Sequence, residues 1–210
     1  LESLNGSVEA AYIFNPKMGP KQLLRTIIEE FGIQIRSDNT KDLIDRLNAF
    51  LIQKKASGKK VILVIDEAQN LNRNVLEQLR LLSNLETNRD KLLQIILVGQ
   101  PELRHHLSDH SLRQLNQRIA VRYYLRPLNC DETSSYILNR LKIAGRADSK
   151  IFSPAALRRV FRCSGGVPRR VNLICDRALL TAYTEERRVV TARTCTTTTS
   201  CSTSQPSNSR

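Results

Sequence analysis

Two largely apolar runs, VILVI at 61–65 and LQIILVG at 93–99, constrain this chain more than any other feature of its sequence. Neither alternates apolar with polar residues, so a strand made from either one has two faces to bury. AAYIF (10–14) and AVRYYL (120–125) complete a set of four candidate strands. Between them lie helical patterns. PKQLLRTIIEEFG (20–32) puts Leu23, Leu24, Ile27 and Ile28 on one face and stops at Gly32. KDLIDRLNAFLIQKKASG (41–58) does the same with Leu43, Ile44, Leu47, Phe50 and Leu51, and NVLEQLRLLSNLE (74–86) with Leu76, Leu79, Leu82 and Leu85. Strands alternating with helices predict an α/β domain built on a parallel, helix-covered sheet.

The strand pattern ends at Pro127. NCDETSSYILNRLKIAG opens on a capping box, Asn129 with Glu132, and ends at Gly145. SPAALRRVFRCSGG has Ser153 as cap, Pro154 at the first helical position and Gly165–Gly166 as its stop. PRRVNLICDRALLTAYTEE supplies a third helix. The expected organisation is therefore an α/β core over 1–128, a helical subdomain over 129–190 and a Thr/Ser-rich tail over 191–210. The tail is too poor in large apolar residues to offset its ordering entropy, so it is expected to be disordered.

The 210 residues contain no apolar run near the roughly 18 needed to cross a membrane. The five cysteines form no C-x-x-C pair and read as free thiols of a reducing compartment. His106 and His110 have a helix-face spacing but no third ligand nearby, which argues against zinc. The net charge of +13 is concentrated late in the chain, where residues 129–190 carry 12 basic and 6 acidic side chains. A basic surface attracts phosphates without selecting a sequence, and no base-reading motif accompanies it.

Asp66 and Glu67 close the run VILVI and so emerge at the carboxyl end of a buried strand, the edge where open α/β sheets bind ligands. An Asp there can hold Mg²⁺ through its water shell, and a neighbouring Glu can polarise water for phosphoryl transfer. A helix-capping pair after a core strand would read the same way. Gln100, after the second apolar run, would bring an amide beside these carboxylates, although it also suits a turn before Pro101.

From VILVIDEAQNLN through VGQPEL to LRQLNQRI, the sequence resembles the AAA+ ATPases of the general secretion pathway component A group, and also those of MSHA-pilus biogenesis. The likeness extends over about residues 8–190. It implies that Asp66 and Glu67 are the Walker B pair, with Asp66 toward the metal and Glu67 catalytic. Gln100 takes the sensor-1 position, and Asn15 the position that restrains the Walker B Glu. Arg118 becomes an arginine finger reaching a neighbouring subunit, with Arg113 the fallback, and Arg169 becomes sensor 2 in a helical lid. Arg169 and Arg170 open a helix, where the macrodipole disfavours cations by up to about 1 kcal/mol and a bound phosphate would compensate.

The phosphate loop that such a site requires, G-x-x-x-x-G-K-[ST], does not occur. The one Gly-Lys, Gly58–Lys59, has Gln53 where the first Gly belongs and Lys60 where Ser or Thr belongs. The resemblance places that loop upstream, with LESLNG as the end of the helix following it. The chain is thus expected to be a P-loop NTPase (AAA+) α/β sheet lacking its first strand and phosphate loop, followed by a small all-α lid. The absent strand belongs between LQIILVG and AVRYYL, which should stand apart or be forced together. The implied function is ATP- and Mg²⁺-dependent work in secretion or pilus assembly, performed by a homo-oligomer with a membrane partner. The intact parent would be cytoplasmic and attached to the inner membrane, and this piece would be inactive alone. The alternative is a DNA-binding AAA+ ATPase of transposition or replication initiation, which the basic lid favours and the lack of a following winged helix disfavours. A helicase reading of DEAQ finds no companion motif.

Overall fold

The computed structural model describes residues 7–35, 39–86, 91–146 and 149–197. They fall into two compact units that divide between Arg122 and Tyr123. The first unit begins with β1 (Val8–Ile13), α1 (Pro20–Glu30) and α2 (Thr40–Ala56). It continues with β2 (Lys60–Ile65), a 3-10 turn (Ala68–Asn70), α3 (Arg73–Leu82) and β3 (Leu93–Leu97). Two short helices, α4 (Glu102–Leu107) and α5 (Arg113–Arg118), follow. The strands are parallel in the order β1-β2-β3, with Ile13 opposite Ile65 and Ile65 opposite Leu97.

The apolar stripes of α1, α2 and α3 meet one face of this sheet. Leu23, Ile27, Leu43, Leu47, Leu76 and Leu79 share a core with Ala11, Ile13, Leu63 and Ile65. Each fully buried Leu or Ile contributes about 1.5–3 kcal/mol. Helix ends follow the sequence signals. The side chains of Asn39 and Asn72 cap α2 and α3, and Gly32 takes a left-handed φ of 68° just past α1.

Two sequence expectations fail here in part. β2 is buried on both faces, with Val64 as well as Leu63 and Ile65 inside, but the other runs are not: Phe14 is 70% exposed, and Ile96 and Val98 are 46% and 45% exposed. Nor does AVRYYL form a strand; residues 119–129 have no regular structure, and Val121, Tyr123 and Leu125 are exposed. A parallel strand needs a neighbour to take up its backbone groups. Among the described residues β3 has none on its outer side. With AVRYYL irregular, the expected pair of separated strands does not form among the described residues.

The second unit consists of α6 (Cys130–Ile143), α7 (Pro154–Ser164), α8 (Pro168–Thr184) and α9 (Thr194–Thr197). Its core joins Ile137, Phe152, Val160, Val171, Ala178 and Val190. The capping box on α6 and the Ser153 cap on α7 form as the sequence implies. Residues 123–128 group with this unit rather than with the first. The Leu128 N–H donates to Gly166 O at 2.9 Å, and Arg126 grips Glu132. Gly166 permits this close approach, because a Cβ there would stand 1.9 Å from Leu128 O. The tail is also not wholly without structure. Thr191 and Thr194 pair their hydroxyls at 3.1 Å, and Cys195 is completely buried in the helical core. Composition misses this because one small thiol anchors the turn. Residues 198–210 of the expected disordered tail lie outside the described residues.

Candidate active site

At the carboxyl edge of the sheet the three strands end in step. Asn15, Glu67 and Gly99 each stand two residues beyond a member of the aligned row Ile13, Ile65, Leu97. The sheet's hydrogen bonding runs on past the strands: Asp66 N–H donates to Ile13 O, Val98 N–H to Ile65 O and Ala68 N–H to Val98 O, each at 2.9 Å. The residues after β2 are therefore held from both sides.

Asp66 and Glu67 are half-buried. Asp66 Oδ1 accepts from the Glu67 backbone N–H at 2.8 Å, which engages one of its two oxygens. Glu67 adopts a left-handed backbone, φ 53° and ψ 37°, and leads into the 3-10 turn. Its carboxylate oxygen Oε2 accepts from the Gln69 side-chain amide. The other end of that amide, Gln69 Oε1, accepts from the Gln100 N–H at 3.0 Å. One glutamine side chain thus ties the acidic turn to the segment after β3. Space for it depends on Gly99, where a Cβ would come within 2.8 Å of Gln69 Oε1.

Asn15 also has a left-handed backbone, with φ 48°. Its amide oxygen accepts from Asn70 Nδ2 at 3.3 Å. Asp66, Glu67 and Gln100 are thus brought together, and Asn15 borders them through Asn70, while the group bonded to the Glu67 carboxylate is Gln69. Arg118, the last residue of α5, and Arg113, the first, are both exposed. Arg169 is exposed in the first turn of α8 in the second unit, and its neighbour Arg170 donates to Cys163 O at 3.0 Å. Sequence reasoning did not single out Gln69, Asn70 or Gly99. The available signal was the polar pair in DEAQN, which places an amide two residues after Glu67.

Carboxylates of this kind are suited to a hydrated Mg²⁺, a hard cation that takes one or two carboxylate oxygens and keeps several waters. The half-buried Asp66 at the sheet edge fits as one such ligand. A phosphate cradle does not fit the residues at hand, since the glycine-rich loop is missing from the sequence.

The AAA domain family matches residues 1–107, which include the acidic turn and Gln100. The chain belongs to this family, and its parallel sheet with flanking helices is the α/β fold of the P-loop AAA+ ATPases. Among these it is like general secretion pathway protein A of Aeromonas hydrophila, 47% identical over 184 residues. The match takes in 87% of this chain and 34% of that protein, so the chain spans about a third of its relative's length. Solved structures agree on the fold. The ORC2 protein of Aeropyrum pernix, in its ADPNP–ADP complexes, matches with TM-score 0.66 at 16% identity, over 91% of this chain and 52% of that one. Drosophila ORC bound to DNA matches with TM-score 0.66 at 20% identity, over 94% and 47% respectively. At these identities the likeness shows fold alone.

Proposed function

We propose that this chain carries the water-activating half of an ATPase site whose phosphate-binding half lies in the upstream part of a longer protein. The observation that supports this most is the meeting of Asp66, Glu67 and the Gln100 segment at the carboxyl edge of a parallel sheet. In this reading Asp66 holds Mg²⁺ through coordinated water, and Glu67 accepts a proton from the attacking water. Gln100 orients that water or contacts the terminal phosphate. The metal, when bound, neutralises charge developing on the phosphates. Asn15 positions the acidic turn through Asn70. Arg118 acts on the nucleotide of a neighbouring copy in a homo-oligomer, and Arg169 serves as the sensor-2 arginine of the helical unit.

The work driven is assembly or remodelling in secretion or pilus biogenesis, a reading that rests on the likeness to general secretion pathway protein A. Among the described residues no helix is long and apolar enough to cross a membrane. Attachment to the inner membrane is proposed for the longer protein on the same likeness. Because the 210 residues contain no phosphate loop, this chain alone does not turn over ATP.

The test compares ATP turnover and nucleotide affinity for this chain and for a form extended upstream through the loop, with Glu67→Gln as control. Turnover confined to the extended form and abolished by Glu67→Gln supports the proposal. Turnover by the short chain puts the phosphate site elsewhere and overturns it.

A further inference from the structure

We infer that Gln69 is the positioning residue for Glu67, fixing its carboxylate by reference to the backbone at Gln100; this rests on the ATPase reading above. The Gln69 side chain is used at both ends. Its amide nitrogen donates to Glu67 Oε2, and its amide oxygen accepts from the Gln100 N–H at 3.0 Å. A single rigid amide plane therefore transmits the position of the segment after β3 to the carboxylate after β2.

Three features make this more than a surface contact. Glu67 has a left-handed backbone, which a non-glycine residue adopts at a cost and holds only where its surroundings over-determine it. The backbone on either side is pinned, with Ala68 N–H bonded to Val98 O and Val98 N–H to Ile65 O. Finally, residue 99 is the glycine that leaves room for the amide; a Cβ would lie 2.8 Å from Gln69 Oε1. Asn15 is bonded to Asn70 instead, at 3.3 Å. Glu67 and Gln100 consequently move as a pair: a shift of the Gln100 segment is felt at the carboxylate through one side chain.

The experiment has two arms. In the chain itself, amide hydrogen exchange is measured at Gln100, Val98 and Ala68 with and without Gln69→Leu. Exchange at Gln100 should accelerate at least about tenfold, while Val98 and Ala68, bonded to backbone carbonyls, keep their protection. In the upstream-extended protein, Gln69→Leu should lower kcat by about 10–100-fold with KM for ATP unchanged, as expected when a catalytic group loses its orientation rather than its ligand. Gly99→Ala should reproduce that loss, since its Cβ would meet Gln69 Oε1 at 2.8 Å as well as Leu103 Cδ2 at 3.1 Å and the Gln69 backbone N at 3.3 Å. Unchanged Gln100 exchange, a raised kcat, or kcat and KM changing together overturns the inference. If Glu67→Gln itself retains turnover, the assignment of Glu67 as the water-activating residue in the proposed function has failed. If Glu67→Gln abolishes turnover and Gln69→Leu leaves it intact, only the role of Gln69 has failed.

Discussion

Asn15 and Glu67 occupy the same row of the sheet, two residues past the paired Ile13 and Ile65, and both hold left-handed backbone at φ 48° and 53°. Neighbouring strands therefore make the same sharp departure side by side, and both use residues other than glycine to do so. Asparagine tolerates this conformation better than most residues, and a β-branched side chain tolerates it worst.

That difference is measurable at Asn15. Asn15→Gly and Asn15→Val both remove the hydrogen bond to Asn70, so a comparison of the two isolates the backbone term. Asn15→Val should be less stable than Asn15→Gly by about 1–2 kcal/mol in urea unfolding. In thermal melts the gap should be roughly 2–8 °C. Equal stabilities would mean that the turn relaxes to another conformation.

Gly166 and Gly145 make a second pair of probes, both with positive φ, 74° and 84°. Alanine at Gly145 meets nothing within 4 Å and should cost only the conformational penalty, about 1 kcal/mol. Alanine at Gly166 would drive its Cβ to 1.9 Å from Leu128 O and must displace that backbone. Its cost should exceed about 3 kcal/mol, the range of severe core lesions. Denaturant unfolding measures both, and exchange at the Leu128 amide reports whether the pairing with Gly166 O has opened.

The fork between Arg126 and Glu132 predicts a pH dependence. Arg126 Nη1 and Nη2 reach the two Glu132 oxygens at 2.8 and 2.7 Å, and the same carboxylate accepts from Asn129 N–H at 2.8 Å. The Arg126 hydrogen bonds come first among the causes, followed by the Asn129 backbone, in holding the carboxyl down to about 2. A carboxyl depressed on folding stabilises above its unfolded value and loses that contribution as pH falls. The stability advantage of wild type over Glu132→Gln should therefore be complete above about pH 5, shrink from there downward and vanish near pH 2. Thermal melts of the two proteins across that range test it, and a constant difference would remove the fork from the account.

Cysteine chemistry should separate by burial. Desolvation first, then the nearby Cys195 and Asp176, push the Cys175 thiol up to about 12; burial chiefly, with Cys163 beside it, pushes Cys195 up to about 11. The thiolate is the reactive form, so at pH 8 neither should be alkylated by maleimide in the folded chain. Cys130, half-buried at the start of α6, should react. Mass mapping after a short pulse gives the answer, and modification of Cys195 before Cys130 would show that the α9 turn opens readily.

Elements stabilised by their own neighbours were legible in the sequence. The capping box of Asn129 and Glu132 and the Ser153–Pro154 start are encoded within four residues, and both form. VILVIDE gave the strand and its carboxylates because a buried strand and its polar exit are also local. AVRYYL, also rich in strand-favouring residues, stays irregular because a strand is completed by its partner, and none stands beside it among the described residues. Cys195 escaped notice because its burial depends on packing against α7 and α8, elements that the composition of the tail does not reveal. Gln69 escaped for a related reason. Its role needs Gly99 across the sheet, thirty residues further on, a relation visible only once the register of β2 and β3 is known.

The shared register of the three strands also sets where this architecture can gain or lose residues. The turn Ser57–Lys59 enters the sheet at the edge remote from Glu67, so a deletion there can be absorbed before β2 begins. A deletion between Lys60 and Ile65 is different in kind. It would slide Glu67 out of line with Asn15 and Gly99 and exchange the faces taken by Leu63 and Val64. Length is therefore negotiable at one end of this sheet and fixed at the other. Divergent copies of the fold should accumulate insertions and deletions at the amino ends of the strands, while the spacing from each strand to its exit residue stays constant.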